Sequence, residues 1–478
     1  MIKKTVTNTS SISSVMSDKE EEEQIRVETE SIVVDEKIRD VKQLVKSNIG
    51  NAKLGGLEKD LNMSSTEYQW ALSIFYFSYV LFDLPSNIIM RRWRASFWLA
   101  ILMFCWGIVA TAMAACKSFT SLMMCRFLLG LFEAGFFPGV VYFMSLWYTR
   151  QEYGRRIGFF WSFGSLAGAL GGLIAFAISQ IQTSALSTWQ WLFIIEGAPT
   201  IILSLFSAWY LPNTPETVTT RFLTSKERDL IINRLAQDAG DSYSHAWSWK
   251  QALSVFTDWK TYFYMFIYIS GTIPLQGVTL FLPSIVANMG SWSKPVAQAL
   301  TIPPYSLAFI MTFIVGWSSD RYFERAFHMI ALNSLAILGF LLLILLPSNV
   351  VACYFAACLV TTSVYANVAV KVAWFNNNYG GLTRRAVASA TIVSFGTIGG
   401  AIGGQIYYDP PSYVKGNTIA LSFVALQTCL VILLRLLLQH DNKRKQNITT
   451  QQQQQLEIER YGGPDLVGDR HYNFKYIL

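Results

Sequence analysis

Two charged side chains lie inside one long apolar stretch of the sequence. Residues 122–148 read LMMCRFLLGLFEAGFFPGVVYFMSLWY, which includes Arg126 and Glu133. The stretch is long enough to cross a bilayer, because a membrane helix needs about 20 mostly apolar residues. A charge in the middle of such a helix is costly, so it needs a partner or a water-filled cavity.

The spacing of Arg126 and Glu133 predicts that they share one face of a helix. A shift of seven residues along an α-helix returns to within about 20° of the starting direction. An arginine can bind an anion and a glutamate can take up a proton, so this face can couple the two. The alternative is an internal ion pair that only holds helices together, but ionisable residues inside a membrane favour a functional role.

The rest of the sequence supplies many further apolar segments. Of its 478 residues, 52% are hydrophobic and 14% are charged, whereas soluble proteins carry roughly 25% charged residues. We therefore predict an all-α, polytopic membrane protein with eleven spans, at 67–90, 97–116, 121–147, 157–181, 190–211, 261–287, 296–316, 326–346, 350–374, 385–407 and 417–438. The six cysteines fall in apolar runs without metal-ligand spacing, so we expect small core residues rather than a disulfide framework.

Loops and tails divide the chain into five regions. We predict a polar tail over 1–65, a five-span bundle over 66–211, a central loop over 212–260, a six-span bundle over 261–439 and a second tail over 440–478. Arginines and lysines concentrate in the central loop, in the second tail and in alternate short loops. This distribution predicts that the central loop and the C-terminus are cytoplasmic. Because the basic residues lie in these loops, the net charge of +7 does not indicate a nucleic acid partner.

Two segments of the chain match each other closely. Residues 162–172 read SFGSLAGALGG and residues 394–404 read SFGTIGGAIGG, and each follows a pair of arginines. The alternative to duplication is coincidental packing of small residues, which is common in membrane helices. Repeated halves around a long loop are typical of transporters with two six-helix bundles. The two segments are 232 residues apart, so the sixth span, 261–287, should correspond to residues 29–55 in the first half. Residues 29–55 are too charged to cross a bilayer, so we expect the first helix of the first half to be absent.

Several longer motifs resemble one protein family. They are SNIGNAKLGGLEKDLNMS (47–64), YVLFDLPSNIIMRR (79–92), RFLLGLFEAGFFPG (126–139), LTIPPY (300–305), GWSSDR (316–321), WFNNNYGGLTRRAVASATIVSFGTIGG (374–400) and GDRHYNFKYIL (468–478). On these motifs the chain resembles the major facilitator superfamily and, within it, the fungal allantoate permease family of anion:cation symporters. In that family an Asp-Arg pair normally ends the first helix just before the Asn-Ile-Gly-Asn-Ala-Lys run, whereas Lys46 and Ser47 stand there in this chain.

The resemblance implies proton-coupled uptake of a small organic anion, such as nicotinate, allantoate or another carboxylate or ureido acid. It also implies that Arg126 binds the anion and that Glu133 couples the proton. Asn378 would lie by the substrate, near the end of the equivalent of helix 10. The gate and latch residues that it implies are Asp83, Arg91, Asp320 and Arg321.

Three other polar residues inside the spans have two interpretations each. Gln276 contacts substrate or bonds a neighbouring helix, and Tyr305 lines the cavity or packs a helix break. Lys371 lies near the cytoplasmic end of its span, where its stem can carry the ammonium to the interface as readily as to a ligand.

The sequence contains no phosphate-binding glycine loop, zinc-ligand spacing or nucleophile motif. We therefore expect no enzyme activity, no cofactor and no metal. We expect a monomer in the lipid bilayer of the plasma membrane, with a small organic anion and the proton as its partners. The absent helix leaves a second hypothesis, a non-transporting or truncated membrane protein that senses a ligand or pairs with a full-length carrier.

Overall fold

The computed structural model describes residues 49–148, 150–181, 186–212, 214, 224, 226, 228–233, 249–380, 382–447, 468–471 and 474–478. Most of the predicted first tail, most of the central loop and the glutamine-rich part of the second tail lie outside the described residues. The described residues form helices, turns and irregular connections, and no β-strand. The predicted all-α fold is confirmed.

The helices follow one another along the whole described chain. They are α1 (Leu57–Asp60), α2 (Ser65–Arg92), α3 (Ala95–Ala112), α4 (Phe119–Ala134), α5 (Phe136–Trp147), α6 (Arg150–Ser179), α7 (Thr188–Tyr210), α8 (Trp249–Ser254), α9 (Trp259–Met289), α10 (Lys294–Ala299), α11 (Ile302–Tyr322), α12 (Ala326–Leu345), α13 (Val350–Asn377), α14 (Leu382–Gly403) and α15 (Val414–Gln446). Residues 49–54 and 228–233 are also helical, and Met113–Ala115 and Gly468–Arg470 form 3-10 turns.

The predicted spans correspond to these helices. Within the described part of the chain, nine helices are long and apolar enough to cross a membrane. The two remaining predicted spans, 67–90 and 157–181, correspond to α2 and α6, and the second half of α6 is a shorter apolar helix over Gly164–Ser179. The chain is therefore a multi-pass membrane protein.

The predicted span over 121–147 is two helices rather than one. α4 ends at Ala134 and α5 begins at Phe136, with Gly135 between them. Pro138 breaks the helix here, because it has no N–H to donate to the carbonyl of Ala134 and its ring crowds that carbonyl. The break falls after Glu133, so the helical spacing between Arg126 and Glu133 is preserved on α4.

The helices form two bundles that meet along two interfaces. Helices α2 to α7 pack against one another, as do α9 to α15, while α2 meets α14 and α6 meets α11 between the bundles. At the first interface, the hydroxyl of Ser73 donates to the carbonyl of Ala401 at 2.9 Å. Nε2 of Gln405 in turn donates to the Ser73 hydroxyl at 2.8 Å.

Glycines of the two repeated segments lie at these interfaces. A Cβ on Gly168 of α6 would press against the ring of Tyr305 on α11, and a Cβ on Gly400 of α14 would press against the ring of Tyr76 on α2. Gly168 and Gly400 hold the same position in the two repeats. Both copies therefore use a glycine to admit a tyrosine of the opposite bundle, which gives the repeat a structural meaning beyond coincidence.

The segment just before α2 is packed as well. The hydroxyl of Tyr68 donates to the carbonyl of Ile49 at 3.1 Å. Asp60 accepts from the Ser187 hydroxyl at 2.6 Å and from Nε1 of Trp189 at 2.7 Å, and these hydrogen bonds lower the pKa of its carboxyl. The packed part of the chain thus begins before the boundary at residue 66 that we predicted.

Candidate functional site

Arg126 is a buried cation with unused hydrogen-bond donors. Its side chain is 2% exposed on α4, and among the described residues its Nε and Nη2 have no hydrogen-bond partner. Electrostatic interactions link it to Tyr68, Tyr76 and Glu133. Unused donors on a buried charge are costly, and a guanidinium fork is shaped to bind a carboxylate through two parallel hydrogen bonds.

A close contact between α2 and α4 positions Arg126 and Glu133. Gly130 lies between them along α4, and a Cβ there would collide with the Ser78 side chain and the Phe75 carbonyl of α2. The backbones therefore approach closely at the level of the two charges. Small residues such as glycine let membrane helices approach one another in this way.

The hydroxyl of Tyr76 joins the two bundles next to Arg126. It donates to Oε1 of Gln276 on α9 at 2.8 Å, and electrostatic interactions connect it with Arg126, Glu133 and Tyr365 of α13. We call Arg126, Glu133, Tyr76 and Gln276 the Arg126 group. Gln276 thus makes an interhelical bond, and this bond places it beside the predicted anion site.

Tyr305 reaches the Arg126 group through a second tyrosine. The rings of Tyr305 and Tyr365 meet edge to face with centroids 5.5 Å apart, and the Tyr365 hydroxyl shares a hydrogen bond of 2.8 Å with the hydroxyl of Thr279. Tyr365 lies in the electrostatic surroundings of Tyr76. The structure therefore brings together Arg126, Glu133, Gln276 and Tyr305 of the predicted site.

Asn378 lies in a different place from the Arg126 group. It caps the end of α13, where its Nδ2 donates to the Tyr264 hydroxyl at 2.8 Å and to the carbonyl of Ile477 at 2.9 Å. Its Oδ1 accepts from the N–H of Ile477 at 2.8 Å. The amide of Asn378 thus holds the last residues of the chain, and its predicted contact with substrate remains a prediction.

One of the predicted gate residues, Asp83, contacts the opposite bundle. Asp83 of α2 accepts from the Ser394 hydroxyl of α14 at 2.5 Å. Asp320 pairs with Arg325 at 2.5 Å inside the second bundle, with 66% of the aspartate side chain exposed. The guanidinium of Arg321 lies over the ring of Trp317 at 5.7 Å. The side chain of Arg91 lies outside the described residues.

Lys371 is buried, whereas an ammonium that reaches the membrane interface would be exposed. Its side chain is 2% exposed, and its Nζ lies 4.4 Å from the ring centroid of Tyr268 on α9. A Cβ on Gly271 of α9 would lie 2.9 Å from the same Nζ. The ammonium therefore points into the second bundle, and Lys371, like Arg126, is a buried cation.

Glu196 is a buried carboxyl that the sequence analysis missed. It lies on α7 with its side chain 4% exposed, and neither carboxyl oxygen has a hydrogen-bond partner among the described residues. The neighbouring Gly197 packs against Thr111 at the end of α3. A single carboxylate inside the run FIIEGAP was the signal available in the sequence.

A buried ionic cluster ties the end of the chain to the second bundle. Asp469 lies between Lys260 and Arg384 and forms an ion pair with each. Asp258, just before α9, also pairs with Lys260 and Arg384. Burial acts to raise the pKa of Asp469, but the charges of Lys260 and Arg384 outweigh it and hold the pKa below its ordinary value. We call Asp258, Lys260, Arg384, Asp469 and Tyr476 the C-terminal cluster.

Metal chemistry has no visible basis in the described parts of the chain, where no group of three or more His, Cys, Asp or Glu side chains is placed to hold a metal ion. The guanidinium and the carboxyl of the Arg126 group are groups that can bind an anion and exchange a proton.

Comparisons with known proteins agree with this fold. The family model described as Major Facilitator Superfamily matches residues 44–404. The "MFS transporter prlL" of Fungal sp. (strain NRRL 50135) is 35% identical over 381 residues, which are 78% of this chain and 76% of that protein. The "Uncharacterized transporter C1683.12" of Schizosaccharomyces pombe is 33% identical over 436 residues, 91% of this chain and 88% of that protein.

The same fold occurs among solved structures. A crystal structure of a D-xylose-proton symporter superposes with a TM-score of 0.65 at 10% identity, and the match covers 84% of this chain and 96% of that chain. At this level of identity the likeness concerns the fold alone.

Proposed function

The chain belongs to the major facilitator superfamily of secondary transporters, and we propose that it carries a small organic anion across the membrane together with protons. The observation that carries the proposal is the buried guanidinium of Arg126, whose Nε and Nη2 lack partners in the described part of the chain. The motifs that resemble the allantoate permease family narrow the anion to a carboxylate or ureido acid, such as nicotinate or allantoate.

A carboxylate fits the unused donors of Arg126. Its two oxygens can accept from both free N–H positions, which satisfies the donors and neutralises the buried charge. Tyr76 and Gln276, which bond each other between α2 and α9, would contact the remainder of the same molecule. Tyr305 would add an aromatic wall from α11. The substrate would therefore touch groups of both bundles, as a carrier that alternates between two states requires.

Glu133 would provide the coupling to protons. It is buried on the same helix as Arg126 and interacts electrostatically with it. Protonation of Glu133 removes a negative charge beside Arg126, which strengthens the attraction of Arg126 for an anion. By linkage, a bound anion in turn favours protonation. Proton and anion would then bind together and leave together.

The two bundle interfaces would be the contacts that open and close. Gly168 and Gly400 allow Tyr305 and Tyr76 to pack across them, and Asp83 bonds Ser394 between α2 and α14. We further propose that the protein lies in the plasma membrane. Its central loop and C-terminus would lie in the cytoplasm, because the basic residues concentrate on that side.

Anion binding to the purified protein tests the role of Arg126. Radiolabelled nicotinate and allantoate are the probes, and wild type is compared with Arg126→Ala and Arg126→Lys. We expect Arg126→Ala to weaken binding by roughly 100-fold, because losing a desolvated charge pair costs several kcal/mol. Arg126→Lys should retain part of the affinity, since it keeps the charge but loses the fork.

The matched control is Arg228→Ala, which removes an exposed arginine whose side chain is 40% exposed. It should leave binding unchanged. Equal binding by wild type and Arg126→Ala would contradict the proposed anion site. Binding that depends on Arg126 but is never accompanied by uptake in vesicles would instead favour a ligand sensor or a partner of a full-length carrier.

A further inference from the structure

Two cysteines meet at the start of α4. The Sγ atoms of Cys116 and Cys125 are 3.7 Å apart, in hydrogen-bonding contact. Cys116 follows the 3-10 turn that ends the α3 helix, and its backbone is extended. Cys125 lies on α4 directly before Arg126. Both thiols are free in the structure.

We propose that Cys116 and Cys125 form a redox-active pair, which a small peroxide converts into a disulfide. The thiolate of one cysteine attacks a peroxide oxygen, the O–O bond breaks, and a sulfenic acid and one water form. The second thiol attacks the sulfenic sulfur, the S–O bond breaks, and the S–S bond forms with release of a second water. Two thiols are oxidised and one hydrogen peroxide is reduced to two waters.

The surroundings of Cys116 favour its thiolate. Hydrogen bonding with the Cys125 thiol lowers the pKa of Cys116, and the Ser121 hydroxyl and the charge of Arg126 assist against the opposing effect of burial. A lowered pKa increases the fraction of thiolate at neutral pH, and the thiolate is the reactive form. Cys116 is 6% exposed, so the oxidant must be small, which hydrogen peroxide is.

Closing the bond requires a modest movement. The sulfurs must approach from 3.7 Å to about 2.05 Å. Cys116 is not held in a helix, so this connection can shift while α4 stays in place. The disulfide would then fix the start of α4 next to the anion-binding arginine. The pair itself does not depend on the proposed transport function, and neither does its test.

Peptide mapping of the full-length protein tests the pair directly. Trypsin cleaves after Arg94, Lys117 and Arg126, so Cys116 and Cys125 fall on the peptides 95–117 and 118–126. The protein is treated with hydrogen peroxide, free thiols are blocked with iodoacetamide, and the digest is analysed without reduction. We expect the two peptides to appear linked, with two hydrogens fewer than their sum, and to separate on reduction.

Control variants assign the link to individual cysteines. Cys105 shares the peptide 95–117 with Cys116, so the link should persist in Cys105→Ala and disappear in Cys116→Ser and in Cys125→Ser. A soluble thiol protein added to the same sample shows by its own oxidation that the peroxide was effective. A link that survives in Cys116→Ser overturns the proposal. So does the absence of any link in a sample whose added thiol protein has been oxidised.

Discussion

Replacement of Asp469 by asparagine should release the end of the chain from the second bundle. Asp469 is completely buried. Besides its contact with Lys260, it lies 3.0 Å from Nη1 of Arg384 and accepts from the Tyr476 hydroxyl at 3.1 Å. Asparagine keeps the shape of the side chain but removes its charge. Two buried cations would then share the single carboxylate of Asp258.

The size of the effect follows from burial. Removal of one partner from a buried ion pair costs about 3 kcal/mol or more, because an uncompensated charge remains. If the free energy of opening falls by about 3 kcal/mol, the open state becomes roughly 100-fold more populated. Hydrogen exchange reports this opening at the N–H groups of Tyr476 and Ile477, which donate to the Oδ1 atoms of Asn442 and Asn378. We expect both to exchange roughly 100-fold faster in the variant.

The matched control is Asp320→Asn. Asp320 also pairs with an arginine, Arg325, whose backbone N–H donates to the carbonyl of the last residue, Leu478. However, 66% of the Asp320 side chain is exposed. Exposed pairs contribute less than about 1 kcal/mol, so exchange at Tyr476 and Ile477 should change by less than about tenfold. Equal acceleration by the two variants, or none in Asp469→Asn, would refute the reasoning from burial.

Three further outcomes follow from the structure. The pKa of Asp469 is held below its ordinary value. Its stabilisation of the docked chain end is therefore fully present above about pH 4 and is lost as the pH falls through the lowered pKa. A hydrogen-exchange series in which protection of the chain end is lost at higher pH would contradict this. Lys371→Met removes a buried ammonium and should leave the thermal midpoint unchanged or raise it while it lowers uptake; unchanged uptake would exclude a transport role for Lys371. Gly168→Ala should slow uptake, because the new Cβ would lie 2.7 Å from the Tyr305 ring. The control is Gly316→Ala, whose new Cβ meets nothing within 4 Å and should leave uptake unchanged. Equal uptake by the two variants would contradict the proposed role of the interface between α6 and α11.

Hydropathy and spacing were sufficient to predict the membrane helices. Helical membrane segments satisfy their own backbone hydrogen bonds, so each apolar run predicts a helix independently of the others. The break after Glu133 was the exception within the third predicted span. Its cause, Pro138, is visible in the sequence, but the surrounding apolar residues on both sides suggested one continuous helix.

Part of the site could also be predicted from the sequence. Arg126 and Glu133 are conspicuous because charges are rare inside apolar runs, and the structure adds Tyr76 and Gln276 beside them. The contact between Tyr76 and Gln276 joins residues 200 positions apart. No local pattern specifies such a contact, so it emerges only when the two bundles are placed together.

The C-terminal cluster was beyond prediction from local sequence. Lys260 and Asp469 are 209 positions apart, and each lies in a polar segment that is typical of a solvated loop or tail. Their burial depends on the docking of 468–471 and 474–478 against α9, α13 and α14. The family resemblance placed Asn378 by the substrate. Its hydrogen bonds with the backbone of Ile477 join residues 99 positions apart, which no local pattern specifies.

Uptake into proteoliposomes under imposed pH gradients tests whether anion transport is coupled to protons. Purified wild-type protein and Glu133→Gln are compared with labelled nicotinate and allantoate, with and without an uncoupler. We expect wild-type uptake to rise when the outside is acidic and to collapse with the uncoupler. Glu133→Gln should lose this dependence but still exchange labelled for unlabelled anion. Wild-type uptake at the same rate with and without a proton gradient would contradict proton coupling.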